Sequence, residues 1–284
     1  MTENPSSVAF TAACVQTCAG TDPAQNIFRT AELVSAAAEA GGEFIMLPET
    51  VNMMEPERDQ ARAKACLEAD DPFLDAARGW ARDLGVWVLL GSIVVRSEGP
   101  ARDDGTPMLA NRSILLNAMG ETVATFDKIH MFDVDLGNGE HYHESAAYAP
   151  GARMALAETP WGKLGMTVCY DLRFPHLYRA LAHAGADFIT IPSAFTRPTG
   201  RDHWHILMRA RAIETGCFVF APAQSGDHEG GRKTYGHSLI VDPWGLVLAD
   251  GEEAVGFVTA GIDPAAIAAA RKRMPSLEHD REFD

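Results

Sequence analysis

Apolar runs of strand length alternate with segments of helical spacing through the first half of the chain. The strand-length runs cover residues 8–16, 44–47 and 86–93. Between the first two, Asp22-Pro23 is typical of a helix start, and apolar residues recur at helical spacing until Gly41-Gly42. Further predictions are a helix from Asp71 to Gly85, an exposed turn at 98–105 and a hairpin within 111–126.

The second half repeats this order of elements. Strands are predicted at 163–168, 187–193 and 216–219, helices at 174–184 and 201–215, and a hairpin at 238–249. A last helix begins at Asp263-Pro264, and a polar tail covers 275–284. Similar strings recur by chance in α/β proteins, but three matches in the same order favour a true repeat. The prediction is one domain over 1–284 with βαβαββ halves at about 8–130 and 163–270.

Two such halves predict the layers of the fold. Each sheet has strongly apolar strands, which suits a sheet that is covered on both faces. The amphipathic helices can cover only one face of each sheet, and the other face then packs on its twin. The expected fold class is therefore α/β, a four-layer α-β-β-α sandwich of two pseudo-symmetric halves.

Charge and cysteine content narrow the function. The net charge of -15 opposes binding to nucleic acid or an anionic membrane, so a small molecule is the expected partner. The chain has no long apolar run and no signal-peptide pattern at its start. Its five cysteines show no paired C-x-x-C spacing, which indicates reduced thiols. These observations predict a cytoplasmic protein.

Two His-x-His pairs raise the possibility of a metal site. They are His141/His143 and His203/His205. Neither has the i, i+4 spacing of a helical zinc motif, and no cysteine lies near enough to complete a zinc signature. The expectation is therefore no metal and no cofactor.

The stretch from Gly165 to Pro175 is the best place for a nucleophile, because Cys169 follows an apolar strand and precedes a helix start. The positive end of such a helix lowers the pKa of a nearby thiol, so a reactive thiolate is expected. The alternative is a buried free cysteine with a packing role only.

Three charged residues elsewhere could complete a reaction centre around Cys169. Glu49 ends the strand 44–47, and its counterpart in the repeat is Ser193, so a turn alone does not require the glutamate. Lys128 follows the first hairpin, and Glu144 lies in the segment 141–145. Taken singly, each is more simply a solvated or capping charge. Together they supply the base, the cation and the nucleophile that hydrolysis of an amide needs.

At these positions the chain resembles the nitrilase superfamily of carbon-nitrogen hydrolases, in order and over nearly its whole length. The branch it resembles most is the one that contains deaminated glutathione amidase and ω-amidase. The matching strings are Leu47-Pro48-Glu49, Asp127 to Asp133, Glu144-Ser145, Val168 to Pro175, Pro192 to Phe195, Thr199-Gly200, His203-Trp204, Arg209 to Glu214, Tyr235 to Ser238 and Asp242 to Gly245.

The resemblance implies the four-layer sandwich, usually as a homodimer, and a catalytic triad of Glu49, Lys128 and Cys169 with Glu144 as an auxiliary carboxylate. It implies that Cys169 attacks a small carboxylate-bearing amide after Glu49 takes its proton. Lys128 and the N–H of Tyr170 then hold the oxyanion, ammonia leaves, and water hydrolyses the thioester. A nitrilase or an N-carbamoyl amino acid hydrolase on the same triad is the alternative. A non-catalytic binding module and a Cys-His hydrolase are less favoured.

The substrate-binding residues are the least determined. Arg173 is a candidate for binding a substrate carboxylate, because its guanidinium can do so bidentately, and a structural ion pair is the alternative. Four further residues are expected to line the pocket, with ordinary loop packing as the alternative: His143, Ala194, Phe195 and Thr199. The acidic stretch 55–71 is expected to reshape the entrance.

Overall fold

The computed structural model describes residues 8–101, 105–137 and 139–281. The helices in these residues are α1 (Pro23–Glu39), α2 (Arg58–Lys64), α3 (Pro72–Leu84), α4 (Pro175–His183), α5 (Arg197–Thr215) and α6 (Ala265–Arg273). The strands are β1 (Phe10–Gln16), β2 (Phe44–Met46), β3 (Trp87–Ala101), β4 (Pro107–Leu116), β5 (Thr122–Asp127), β6 (Asp133–Asp135), β7 (His141–His143), β8 (Ala155–Thr159), β9 (Gly162–Met166), β10 (Phe188–Thr190), β11 (Phe218–Ala221), β12 (Ser225–Asp227), β13 (Lys233–Tyr235), β14 (Leu239–Val241), β15 (Val247–Asp250) and β16 (Gly256–Ile262).

Most strands belong to two six-stranded sheets built on the same plan. Their orders are β16-β1-β2-β3-β4-β5 and β15-β14-β11-β10-β9-β8. In each sheet three consecutive strands are parallel, β1-β2-β3 or β9-β10-β11, and the strands outside them are antiparallel. Each sheet therefore repeats the order of the other.

The last strand does not follow the division of the sequence into halves. Strand β16 lies within the predicted second half, but its seven residues pair with β1 in the first sheet, from Phe10 with Ile262 to Gln16 with Gly256. In the second sheet, β8 takes the equivalent place beside β9, although it precedes residue 163. Pairing at these positions satisfies backbone groups that β1 and β9 would otherwise leave unpaired. Sequence periodicity carries no information about such a partner.

The two sheets pack face to face, and helices cover their outer faces. Rings from both sheets meet in one core, where the centroids of Phe10 and Phe188 lie 5.6 Å apart and those of Phe44 and Phe220 lie 6.2 Å apart. Helices α1 and α3 pack on the other face of the first sheet, and α4 and α5 pack on the second. The predicted four-layer sandwich is confirmed.

Local signals in the sequence begin and end the helices as expected. The Asp22 carboxylate accepts from the N–H of Ala24 at the start of α1, and the Asp71 carboxylate accepts from Phe73 and Leu74 at the start of α3. Gly85 ends α3 in the left-handed conformation at φ 66°. A side chain with a Cβ is strained there, so this glycine makes the helix end predictable.

The structure has regular elements in two segments where the sequence analysis predicted none. Strand β3 continues to Ala101, through part of the segment 98–105 that was expected to be an exposed turn, and residues 102–104 lie outside the described residues. The acidic stretch 55–71 contains the short helix α2.

In the described part of the chain, no helix combines the length and apolar character that a bilayer crossing requires.

A close approach of the two halves brings their strand ends together. A Cβ built on Gly91, in β3, would lie 1.9 Å from the carbonyl oxygen of Leu47 and 2.3 Å from Cβ of Pro192. Only a residue without a side chain fits between these two segments. Leu47 precedes Glu49, and Pro192 accepts the N–H of Cys169 at 2.9 Å, so the contact joins the two segments that carry chemistry.

Candidate active site

Glu49 lies just beyond the end of β2 with its carboxylate buried, 3% exposed. Its Oε1 accepts from Nζ of Lys128 and from Nδ2 of Asn111, both at 2.9 Å. Its Oε2 accepts from the N–H of Ala194 at 2.8 Å. The side chain of Gln224 holds the main chain through the Glu49 carbonyl oxygen at 3.0 Å. Three parts of the chain therefore orient this carboxylate.

Lys128 follows β5 and is also buried, 2% exposed. Its ammonium lies between two carboxylates, at 2.9 Å from Oε1 of Glu49 and at 2.9 and 2.8 Å from the two oxygens of Glu144. A buried charge is costly unless it is paired and hydrogen-bonded. Lys128 satisfies that requirement on both sides.

Cys169 occupies a strained turn immediately after β9. Its φ is 49°, a left-handed conformation that residues with a side chain adopt at a cost, and it begins a 3₁₀ turn that ends at Arg173. The buried Asp171 carboxylate accepts from the N–H of Val168 at 2.9 Å and from that of His130 at 3.0 Å. Asp171 thus joins the cysteine turn to the segment after Lys128.

Cys169, Glu49 and Ala194 border the same cavity, and the thiol and the Glu49 carboxylate are near enough for each to influence the pKa of the other. Burial, together with the negative charge of Glu49, raises the pKa of Cys169 well above its ordinary value, although Lys128 opposes the shift. The expected helix-lowered pKa is therefore wrong. Helix α4 begins only at Pro175, and the thiol, instead of the thiolate, is the resting form.

The two charged partners keep their charges. Burial works against the ionised carboxylate, but the Lys128 ammonium and the more distant Arg232 hold the pKa of Glu49 below its ordinary value. Burial likewise works against the ammonium, yet Glu144 and Glu49 raise the pKa of Lys128 well above its ordinary value. An ionised acid beside a neutral thiol is the arrangement that a general base needs.

Glu144 holds Lys128 from the other side. It begins a short 3₁₀ turn after β7, and its Oε2 also accepts from the N–H of Phe132 at 2.7 Å. Asn111 donates to Oε1 of Glu144 at 3.2 Å as well as to Glu49, so one amide bridges the two carboxylates. The sequence analysis did not identify Asn111, since nothing in the string Ala110-Asn111-Arg112 distinguishes a site amide from a strand residue.

These groups border a cavity of about 430 Å³. Glu49, Lys128, Glu144 and Cys169 line it, and so do the predicted residues Tyr170, His143, Ala194, Phe195 and Thr199. Its volume suits a small molecule. The structure therefore brings a sulfur, an acid and an ammonium from separate parts of the chain to one cavity.

Comparison with known proteins assigns the family. Residues 11–272 match the family described as Carbon-nitrogen hydrolase. The chain belongs to this family. It is a hydrolase that acts on carbon–nitrogen bonds, as the resemblance to the nitrilase superfamily predicted.

Individual relatives of this carbon-nitrogen hydrolase agree with the assignment. It is 38% identical over 271 residues to a deaminated glutathione amidase of Yersinia enterocolitica, covering 95% of this chain and 92% of that protein. It is 40% identical over 265 residues to the deaminated glutathione amidase of Homo sapiens, covering 92% and 79%. It is similar in structure to Saccharomyces cerevisiae Nit3, a member of branch 10 of the nitrilase superfamily, with a TM-score of 0.82, 27% identity and 94% coverage of each chain.

Arg173, the predicted carboxylate ligand of this hydrolase, is not among the residues that line the cavity. Its Nη2 lies 3.3 Å from Nδ1 of His203, and its guanidinium lies 5.5 Å from the centre of the Phe195 ring. Neither contact is an ion pair with a carboxylate, which was the alternative interpretation of Arg173. The cavity instead contains two arginines that the sequence analysis did not identify, Arg58 on α2 and Arg232 before β13.

The two histidine pairs do not contact the reacting groups. His141 and His143 line the cavity, and His203 and His205 are not among its lining residues. His141 and His143, on the exposed strand β7, lie 3.2 Å from Asp135 and 3.8 Å from Asp133. His205 does not act with His203. It meets His237 at Asp250, where all three ligand atoms lie within 4.8 Å, and each imidazole is hydrogen-bonded to one carboxylate oxygen.

Proposed function

We propose that this hydrolase is an amidase for a small carboxylate-bearing amide, either deaminated glutathione or an ω-amide such as α-ketoglutaramate. The observation that carries the proposal is the contact of the Lys128 ammonium with the buried carboxylate of Glu49 and the half-buried carboxylate of Glu144, beside the thiol of Cys169. Relatives named deaminated glutathione amidase, which cover most of this chain, support the substrate class.

In the first step Glu49 accepts the proton of Cys169, and the sulfur attacks the amide carbonyl carbon. The ionised carboxylate of Glu49 lies beside the thiol in the same cavity, so it is placed to take the proton. A neutral thiol is a poor nucleophile, and transfer of its proton during attack removes that barrier. The strained turn at Cys169 presents the sulfur to the cavity.

In the second step the developing oxyanion needs positive partners. Lys128 supplies a charge, and the N–H of Tyr170, one residue after the nucleophile, supplies a donor. Glu144 acts as a positioning residue, because it holds the ammonium by both of its oxygens. Glu49 then returns the proton to the leaving nitrogen, a thioester remains on Cys169, and Glu49 activates the water that hydrolyses it.

The leaving group distinguishes the two substrates. A primary amide such as α-ketoglutaramate releases ammonia, whereas the amide nitrogen of deaminated glutathione belongs to a peptide and leaves as an amine. The expected release of ammonia therefore applies to primary amides only. An assay for both substrates must follow the carboxylic acid product.

The test is a panel of deaminated glutathione, α-ketoglutaramate, succinamate, an N-carbamoyl amino acid and an aliphatic nitrile, run beside the variant Cys169→Ala. We expect acid product from one or more of the three amides and none with the variant. Carbon dioxide from the carbamoyl compound, or turnover of the nitrile alone, would favour the alternative activities. No turnover, together with an unreactive Cys169, would favour a non-catalytic binding module.

Assembly and location are further parts of the proposal. A homodimer is supported by exposed apolar side chains on α5 and the β14–β15 turn, where Ile213 is 51% and Leu246 61% exposed. The five cysteines are all free, which fits a reducing cytoplasm. Sedimentation analysis of wild type and Ile213→Asp tests the dimer, since a charge in an apolar interface shifts the equilibrium to monomer.

A further inference from the structure

The cavity holds two arginines that form no direct ion pair with a carboxylate in the part of the chain that the structure describes. They are Arg58 and Arg232, and each donates only to a main-chain carbonyl, His143 at 3.2 Å and Ala194 at 2.6 Å. Each guanidinium can therefore take the anionic group of a ligand as its partner.

The carboxylates that line the same cavity contact other groups. Lys128 pairs with both Glu49 and Glu144, and Lys64 pairs with Glu55 at 2.6 Å. Glu140 accepts from the hydroxyl of Tyr142 at 3.5 Å. None of these contacts involves Arg58 or Arg232, so neither guanidinium forms an ion pair among the described residues of the cavity.

Arg232 lies on a turn that is held firmly in place. The turn includes Gly230 at φ 78°, and a Cβ there would lie 2.3 Å from Cγ of Pro56, in the loop after Glu49. The guanidinium lies 5.4 Å from the centre of the Tyr142 ring. A guanidinium restrained in this way loses little entropy when it binds a ligand.

The hydrogen bonding of Arg232 is incomplete. Its Nη2 donates to the carbonyl of Ala194, but its Nε is buried with no acceptor in the described part of the chain. A buried donor without an acceptor is destabilising, and a carboxylate can relieve this by accepting from two N–H groups at once.

Arg232 is also close to the reacting groups. Ala194 accepts from Arg232 through its carbonyl and donates to Oε2 of Glu49 through its N–H at 2.8 Å. One residue thus separates the guanidinium from the carboxylate of the proposed base. A substrate whose amide carbon lies at Cys169 can therefore place a second functional group near Arg232.

We propose that Arg232, and not Arg173, binds the carboxylate of the amide substrate and selects acidic amides over neutral ones. The inference rests on the proposed amidase function. It differs from the sequence-based expectation because Arg173 lies outside the cavity lining, against His203 and Phe195.

The test compares succinamate with butyramide, a neutral primary amide of the same chain length. Arg232→Met is expected to raise KM for succinamate about 10- to 100-fold, the loss of charge-assisted hydrogen bonds, and to change kcat/KM for butyramide less than about threefold. Arg232→Lys keeps the charge but lacks the paired N–H donors of a guanidinium, and it is expected to recover part of the loss. Arg197→Met, at an arginine paired with Asp227 at 2.7 Å, is the matched control.

Two kinetic outcomes would overturn the proposal. An equal loss on both amides would mean that Arg232 acts through Glu49 or the fold. A loss specific to succinamate in Arg173→Met, with Arg232→Met unaffected, would assign the carboxylate to Arg173.

A binding measurement separates this inference from the proposed function. Calorimetric titration with succinate is expected to give at least about tenfold weaker binding to Arg232→Met than to wild type. Equal binding, or no binding to wild type, would reject the assignment. If wild type hydrolyses no acidic amide, the proposed function fails while the titration still decides whether Arg232 binds carboxylates.

Discussion

The two sheets offer equivalent positions after the first strand of each parallel set, and only one of the two positions carries a nucleophile. Ala12 pairs with Phe44 in the first sheet as Leu164 pairs with Phe188 in the second. Five residues after each first partner lie Thr17 and Cys169. The hydroxyl of Thr17 donates to Oε1 of Gln224 at 3.0 Å, a contact that fastens the two halves together.

The next strand ends show the reverse distribution. The first sheet places Glu49 after β2, whereas the second places Ser193 after β10, and the Ser193 hydroxyl donates to the carbonyl of Ile191 at 3.0 Å. Each half therefore supplies one reacting side chain and one that satisfies the local structure. The pseudo-symmetry of the two sheets brings equivalent strand ends together, and the residues that differ between the equivalent positions carry the chemistry.

The largest expected effect on activity concerns Cys169, compared with Thr17 at the equivalent position. Cys169→Ala removes the nucleophile, so turnover of the best amide should fall by about 10⁴-fold or more. Thr17→Ala, at the equivalent position, should keep activity within about fivefold, because it removes one hydrogen bond. Steady-state kinetics with circular dichroism as a folding control measures both. Comparable losses in the two variants would remove the functional distinction between these two positions.

Variants of Glu49 and Ser193 should also differ in kcat, by a smaller factor. Glu49→Gln retains the shape of the side chain but cannot accept the thiol proton, and we expect a loss of about 10² to 10⁴-fold in kcat. Ser193→Ala should leave kcat within about twofold. Near-normal kcat in Glu49→Gln would mean that another group acts as the base.

Lys128→Met tests the ion cluster of Glu49, Lys128 and Glu144, to which the second half contributes no residue. It leaves the buried Glu49 and the half-buried Glu144 without their cation, so the free energy of unfolding should fall by about 3–5 kcal/mol, and activity should be lost. Urea unfolding followed by tryptophan fluorescence measures the change. The control Lys163→Met, at a half-exposed lysine, should change it by less than about 1 kcal/mol.

The pH dependence of alkylation tests the state of the thiol. Because the pKa of Cys169 is raised, the thiolate fraction should increase about tenfold per pH unit between pH 7 and 9, and iodoacetamide labelling should follow it. Glu49→Gln should shift this profile to lower pH, since the negative neighbour is gone and Lys128 remains. Mass spectrometry of the Cys169 peptide gives the rates. A rate independent of pH over this range would indicate a resting thiolate.

The smallest expected effect concerns Ser193 and stability. Ser193→Ala removes one buried hydrogen bond and should lower the free energy of unfolding by about 1 kcal/mol. Denaturant unfolding is sensitive enough to measure this difference. A loss above about 3 kcal/mol would show that the strand end in the second half has a larger structural role than its single contact indicates.

Local sequence determined the repeated order of strands and helices. Capping residues such as Asp22 and Asp71, and the glycine at Gly85, act within a few residues of themselves, so their effect can be predicted without a fold. The strings around Glu49, Lys128 and Cys169 pointed to the reaction class because they match a family over nearly the whole chain. The asymmetry between Glu49 and Ser193 was visible in the repeat itself.

Only the tertiary structure decided where the last strand pairs, which arginine enters the cavity and which amide bridges the two carboxylates. The pairing of β16 with β1, the position of Arg232 and the contacts of Asn111 join residues far apart in the chain. The tertiary structure also decided the pKa of Cys169, because this pKa depends on burial and on the charges of Glu49 and Lys128. Periodicity and local motifs report on neighbours in sequence, whereas burial and charge pairing depend on neighbours in space.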